Sequence, residues 1–279
     1  KALSMDQYKS IIKRLYQWAW FDRIALARKR GTDVWGVSRQ DAEAYFLSEF
    51  DTISKGYTER GYGGLPRDYI NSFARKRLYY FVIISFNTLL RPSTEMTSLK
   101  WRDIRFVKSD KDPDLRIPII NTPKGKKGPR TVIGAYETYI HLLRWRGVSK
   151  EYGFGGENQY VFPRWDGADR EMRAAEMGRT FSMALRRWGK DQHTTGEKIT
   201  LYSIRNTAIS HRIRDSKWDL LRVSKQAGTS LLQISQAYAD DIMMSNADKY
   251  AQAFLPEGSD TGVDKEKLQR ALEFLEQFD

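Results

Sequence analysis

The chain has 279 residues, of which 41% are hydrophobic and 29% charged, and its formal net charge is +12. That length buries a substantial core and that balance suits a folded globular protein, while the cationic surplus points to a polyanionic partner, nucleic acid first. With no cysteine there is no disulfide, thiolate nucleophile or cysteine-bound zinc, and the three histidines, His141, His193 and His211, lack metal-ligand spacing. No cofactor and no metal are therefore expected.

Taken in order, "ALSMDQYKSIIKRLYQWAW" sets Ser4 and Gln7 at capping-box spacing, and Tyr8, Ile11, Ile12, Leu15 and Ala19 then follow at helical intervals. A second, shorter helix is expected in "SRQDAEAYFLSEF", capped by Ser38. After the loop "KGYTERGYGGLPRD", a long helix over 68–90 becomes apolar on nearly every side from Leu78, which places it inside the core. It is expected to stop at Arg91-Pro92, because the residue before a proline is pushed out of helical space. A new helix is expected to begin at Pro92.

Between Trp101 and Gly134, "DIRFVK", "LRIPII" and "RTVIG" are short, rich in β-branched residues and separated by turn sequences, which predicts a three-stranded antiparallel sheet. Helices resume at 135–147. A glycine-rich loop (151–159), "YVFP" and a basic helix around "AEMGRTFSMALRRWG" follow, and 201–254 is helical again. After "LPEGSDTGVD", a last helix carries Leu268, Leu272, Leu275 and Phe278 on one apolar stripe. The fold class expected is mainly α with a small three-stranded antiparallel sheet. No internal repeat is visible. The longest apolar run, "LYYFVIISF", falls far short of the ~20 residues of a membrane span, and no signal peptide stands at the start. A cytoplasmic, nucleoid-associated location without membrane contact is expected.

Four stretches carry possible chemistry. "NTLLRPSTEMTSLKWRDI" (87–104) offers Arg91 and Glu95, which as residues alone are either a phosphate contact with its support or a buried ion pair joining two helices. "GKKGPRTV" (125–132) offers Lys126, with Lys124 as its near rival; lysines on a Gly/Pro hairpin also suit a solvated loop. "LYSIRNTAIS" (201–210) offers Tyr202 and Arg205. In "KQAGTSLLQISQAYADD" (225–241), Gly228 and Tyr238 stand ten positions apart. Tyr238 is either a nucleophile or a core tyrosine, and Tyr250 in "ADKYAQAF" is a second nucleophile candidate farther from the turn. Other patterns fail: "GYGG" (61–64) lacks a following Gly-Lys-Ser/Thr, and no G-x-S-x-G elbow or two-metal carboxylate cluster occurs.

In this order and on these element types, the four stretches resemble the catalytic domain of tyrosine recombinases of the phage integrase type. The resemblance runs from about residue 3 to 254 and includes "YVFPRWDG" and "AAEMGRTF". It implies that Arg91 and Arg205 clamp the scissile phosphate and that Glu95 supports Arg91. Lys126 would protonate the leaving oxygen, Tyr202 and Thr229 would complete the site, and Tyr238 would be the nucleophile. Tyr202 and Asn206 stand where the family often has histidine, and Thr229 where it has histidine or tryptophan. The DNA backbone would be held by Lys124, Lys127, Arg130, Arg179, Arg186 and Arg187.

The implied domain is 1–255, with 256–279 a linker and amphipathic helix exchanged between protomers of a homotetramer on double-stranded DNA. Folding of that helix back onto its own domain is the alternative. The family's N-terminal core-binding domain is expected to be absent from these residues, in a chain that opens on Lys1. Site-specific recombination through a 3′-phosphotyrosine is the function implied. A type IB-like topoisomerase, or a DNA-binding protein that has lost turnover, would share much of the pattern.

Overall fold

The computed structural model describes residues 2–33, 37–38, 40–42, 72–126, 128–164, 169–193, 196–214 and 219–245. Within them the elements run α1 (Met5–Ala19), α2 (Phe21–Arg30), α3 (Ser72–Thr88), α4 (Thr94–Thr97), β1 (Ile104–Lys108), β2 (Arg116–Thr122) and β3 (Arg130–Ile133). They continue with α5 (Tyr136–Glu151), α6 (Ala174–Arg187), α7 (Leu201–Arg214), α8 (Leu220–Ala227), α9 (Leu231–Ala237) and α10 (Ala239–Ser245). The fold is mainly helical with one antiparallel sheet in the order β1-β2-β3, as the sequence pattern predicts.

The capping box at Ser4 forms in both directions, with Gln7 N donating to Ser4 Oγ at 3.1 Å and Ser4 N to Gln7 Oε1 at 3.0 Å. It starts α1 so that Tyr8, Ile11, Leu15, Trp18 and Ala19 turn inward. Helix α2 is additional to the elements expected; it ends on Gly31 at φ 65, a left-handed conformation that glycine adopts without penalty. Ser38 does cap the start of the next segment, accepting from Asp41 N at 3.1 Å. The rest of that expected helix, the loop after it, Tyr250 and the whole C-terminal stripe lie outside the described residues.

Helix α3 is the axis of the core. Leu78, Phe81, Val82 and Ile84 on it are fully buried, and α1, α5, α6 and α7 pack around it. Phe73 stacks on Trp145 of α5 at 5.3 Å, and Trp145 stacks on Phe162 at 5.9 Å. Side chains of this size each contribute roughly 1.5–3 kcal/mol by leaving water. On the sheet, Ile120 pairs with Ile104 and with Val132, and both Ile120 and Val132 are buried.

At the end of α3 the structure departs from the sequence pattern. The helix stops at Thr88, and the stop is Leu89, which takes φ 58; it is the one non-glycine residue with positive φ among the described residues. A leucine there costs roughly 1–2 kcal/mol. Pro92 therefore falls in a turn and does not open a helix. The helix expected from 92 is only the single turn α4, followed by a 3-10 turn over Trp101–Asp103. The backbone finds other partners: Trp101 N donates to Gln159 O at 3.1 Å and Val161 N to Leu99 O at 2.8 Å. Those bonds hold the chain on either side of Lys100, whose backbone is extended, on a path that a continuing helix could not follow.

Candidate active site

The site is organised by the C-terminal end of α8. A helix leaves its last carbonyls without intrahelical donors and carries partial negative charge there, so cations are favoured. Three arginines from three different segments take three consecutive carbonyls. Arg130, at the start of β3, donates to Gln226 O at 2.6 Å; Arg205, on α7, donates to Ala227 O at 2.6 Å; Arg91, after α3, donates to Gly228 O. Gly228 has φ 61 and ends the helix, and a Cβ there would meet Arg130 Nε at 2.6 Å. Glycine is favoured on both counts.

Arg205 is 4% exposed. Its other guanidinium nitrogen donates to Leu89 O, just beyond the end of α3, so the charge lies between two helix ends. Burial, reinforced by the positive charge of Arg91, lowers its pKa from 12.5 to about 10. It is still cationic at neutral pH. The left-handed Leu89 presents its carbonyl to this guanidinium, which ties the backbone strain at that residue to the site.

Glu95, with 0% exposure of its side chain, is the anion behind the arginines. It accepts from Arg91 N at 2.8 Å and from the Arg91 guanidinium at 2.5 Å; Arg130 donates to it through Nε at 3.1 Å and Nη2 at 2.8 Å. Burial opposes its ionisation, yet the hydrogen bonds and charges of Arg130 and Arg91 outweigh burial and hold its pKa below the ordinary 4.5. The resemblance implies a place on the DNA backbone for Arg130. Its fork is instead turned inward, spent on Glu95 and Gln226.

In front of the arginines lies a hollow of about 930 Å³ bounded by Arg91, Lys126, Tyr202, Arg205, Thr229 and Tyr238. All six residues that the sequence singles out as catalytic thus border one space. Tyr238 ends α9, whose start is capped by Ser230 through the 3.3 Å bond from Gln233 N. Its hydroxyl donates to Asn206 Oδ1 at 3.1 Å. Burial raises its pKa to about 12, although Arg205 pulls the other way. Tyr202 is 47% exposed, and its hydroxyl lies 3.1 Å from Ser93 Oγ. Thr229 Oγ1 accepts from Arg205 at 3.3 Å.

The two lysine rivals separate. Lys126 is exposed at the rim of the hollow, whereas Lys124 pairs with Glu171 at 2.7 Å, which raises its pKa, and lies outside that lining. Lys127 lies outside the described residues. Arg179 and Arg186 are exposed on α6 and Arg187 half-buried there, none of them bordering the hollow. None of the three histidines borders it either. Among the described residues no group of His, Cys, Asp or Glu could hold a metal ion, and no helix is long and apolar enough to cross a membrane.

No family model and no curated protein matches the chain. Solved structures that it resembles in fold are recombinases and integrases. A site-specific recombinase XerH, in a post-cleavage complex with its difH substrate, is 17% identical with a TM-score of 0.48; the match covers 66% of this chain and 47% of that one. The chain thus spans about half the length of that XerH. A XerA recombinase is 15% identical at a TM-score of 0.45, covering 89% of this chain and 99% of that one. The Tn1549 transposon integrase bound to transposon right-end DNA is 14% identical at 0.43, covering 85% of both chains.

Two features of the site escape sequence reading. Asn206 reads as a departure from the family box, with only its place beside Arg205 to suggest a role. The carbonyls of 226–228 have no residue-type signal at all, because any sequence ending a helix there supplies them.

Proposed function

We propose that the chain is a site-specific DNA recombinase or integrase that cleaves and rejoins duplex DNA through a 3′-phosphotyrosine intermediate. The single observation that carries this reading is the convergence of two arginines, a lysine and a tyrosine on one hollow. The arginines are fixed by backbone carbonyls before any ligand arrives. Guanidinium forks held in advance stabilise developing phosphorane charge without reorganising, and loss of one such donor typically costs about 10²–10³ in rate.

The Tyr238 oxygen attacks the scissile phosphorus, the P–O5′ bond breaks, and the 3′-phosphate is left on the tyrosine. Lys126 supplies the proton that the departing 5′-oxygen takes, a role for an ammonium on a flexible stem. The tyrosine proton passes to water, because the Asn206 amide oxygen accepts a hydrogen bond but not a proton. Arg91 and Arg205 face the non-bridging oxygens, with Tyr202 and Thr229 adding hydroxyl contacts. A 5′-hydroxyl from a second duplex attacking the phosphotyrosine reverses the step, which is strand exchange. Lys124, Arg179, Arg186 and Arg187 serve the DNA backbone through salt-sensitive contacts. Assembly as a homotetramer on DNA belongs to the same proposal.

The test is a covalent trap. The protein is incubated with a pool of nicked suicide duplexes of varied sequence, and adducts surviving denaturant are mapped by peptide mass. An adduct on the peptide carrying Tyr238, lost in Tyr238→Phe, is the expected result. An adduct on Tyr250 would overturn the assignment of the nucleophile. Binding without any adduct would favour a DNA-binding protein without turnover.

A further inference from the structure

The β2–β3 loop that carries Lys126 bears directly on the arginine cluster. A Cβ at Gly125 would lie 3.4 Å from Glu95 Oε1 and 2.4 Å from Gly128 O, so the loop backbone rests against the buried carboxylate. Gly128 N donates to Gly125 O at 3.1 Å, which closes the loop into a tight turn with Lys126 near its tip. The loop then runs into Arg130, whose backbone carbonyl is held by Thr122 Oγ1 at 3.1 Å. Arg130 grips both the acid that supports Arg91 and the end of α8 that seats Arg91 and Arg205, and it does so from the foot of the loop that carries Lys126. Lys126, Arg91 and Arg130 also line one small recess beside Gly228.

We propose that Arg130 is a positioning residue for Lys126: it clamps the foot of the β2–β3 loop to Glu95 and Gln226, so that the ammonium is held at the leaving oxygen. The inference rests on the proposed cleavage reaction. Its physical basis is geometric. A planar fork making two bonds to one carboxylate and a third to a carbonyl fixes the start of β3 in direction as well as distance, which a lysine in its place cannot do. Only three residues separate this anchor from Lys126, so an error at Arg130 is passed along the short turn.

Leaving-group chemistry distinguishes this role from general support of the site. In a duplex with sulfur in place of the bridging 5′-oxygen, the departing thiolate is stable without a proton, so catalysis by Lys126 becomes dispensable. Suicide duplexes recovered from the covalent trap are made with oxygen or with sulfur at that position, and adduct rates are measured for the wild type, Arg130→Lys, Lys126→Ala and Arg205→Ala. Arg130→Lys is expected to slow adduct formation at least tenfold on the oxygen duplex. On the sulfur duplex it should return to within about threefold of wild type, as Lys126→Ala does, whereas Arg205→Ala stays slow on both. Gly125→Ala displaces the loop from its other end and serves as the reference for a misplaced Lys126; if Arg130→Lys does not fold, Arg130→Gln, which loses the fork to Glu95 and Gln226, takes its place with the same expectation.

Equal defects of Arg130→Lys on oxygen and sulfur would overturn the inference and make Arg130 a support of the Arg91–Glu95 pair. Wild-type rates on both duplexes would overturn it as well. A wild-type protein that forms no adduct would remove the cleavage reading, and the inference with it, whereas the first two outcomes leave that reading standing.

Discussion

Replacing Glu95 by glutamine keeps the shape of the side chain and removes the anion from a point where Arg91 and Arg130 converge and Arg205 stands nearby. The carboxylate accepts four hydrogen bonds, all from these two arginines, and has no exposure to water. Removing one partner of a buried ion pair strands the remaining charge and costs about 3–5 kcal/mol. At roughly 2–4 °C per kcal/mol for a domain of this size, Tm falls on the order of 6–20 °C. The pH dependence is equally specific. Because the folded state holds Glu95 ionised more firmly than the unfolded chain does, its contribution is complete above the unfolded value near 4.5 and is lost as pH falls through the lower folded value. Urea unfolding of wild type and Glu95→Gln should therefore show a constant gap from pH 8 to pH 5, closing at more acid pH. A gap under about 1 kcal/mol at pH 7, or one that widens on acidification, would show that the carboxylate is not what holds the arginines.

Asn206→Ala removes the 3.1 Å acceptor of the Tyr238 hydroxyl; a bond worth about 0.5–1.5 kcal/mol corresponds to a roughly two- to tenfold slower adduct rate, with DNA affinity unchanged in a gel-shift titration. Gly228→Ala combines a left-handed backbone with a Cβ 2.6 Å from Arg130 Nε, and should lower stability in urea by more than ~1–2 kcal/mol. With the Tyr238 hydroxyl pushed to about 12 and no histidine bordering the hollow, single-turnover cleavage should rise with pH between 6 and 9; an inflection near 6.5, the ordinary value for histidine, would point to a base that this site does not contain.

The sequence by itself determined the elements whose signals are local. The capping box at Ser4, the strand-like runs between Trp101 and Gly134 and the all-round apolar stretch from Leu78 depend only on nearby residues, so periodicity and turn chemistry expose them. The motifs also brought forward Arg91, Lys126, Tyr202, Arg205, Thr229 and Tyr238, and these meet at one hollow. Where α3 stops was decided by tertiary structure: Leu89 takes a conformation its own side chain disfavours, and its carbonyl meets an arginine 116 positions away. The direction of Arg130 was decided in the same way. A cation on a basic hairpin has no local reason to turn inward; the buried Glu95 and the free carbonyl of Gln226 exist as partners only once α4, β3 and α8 have packed together.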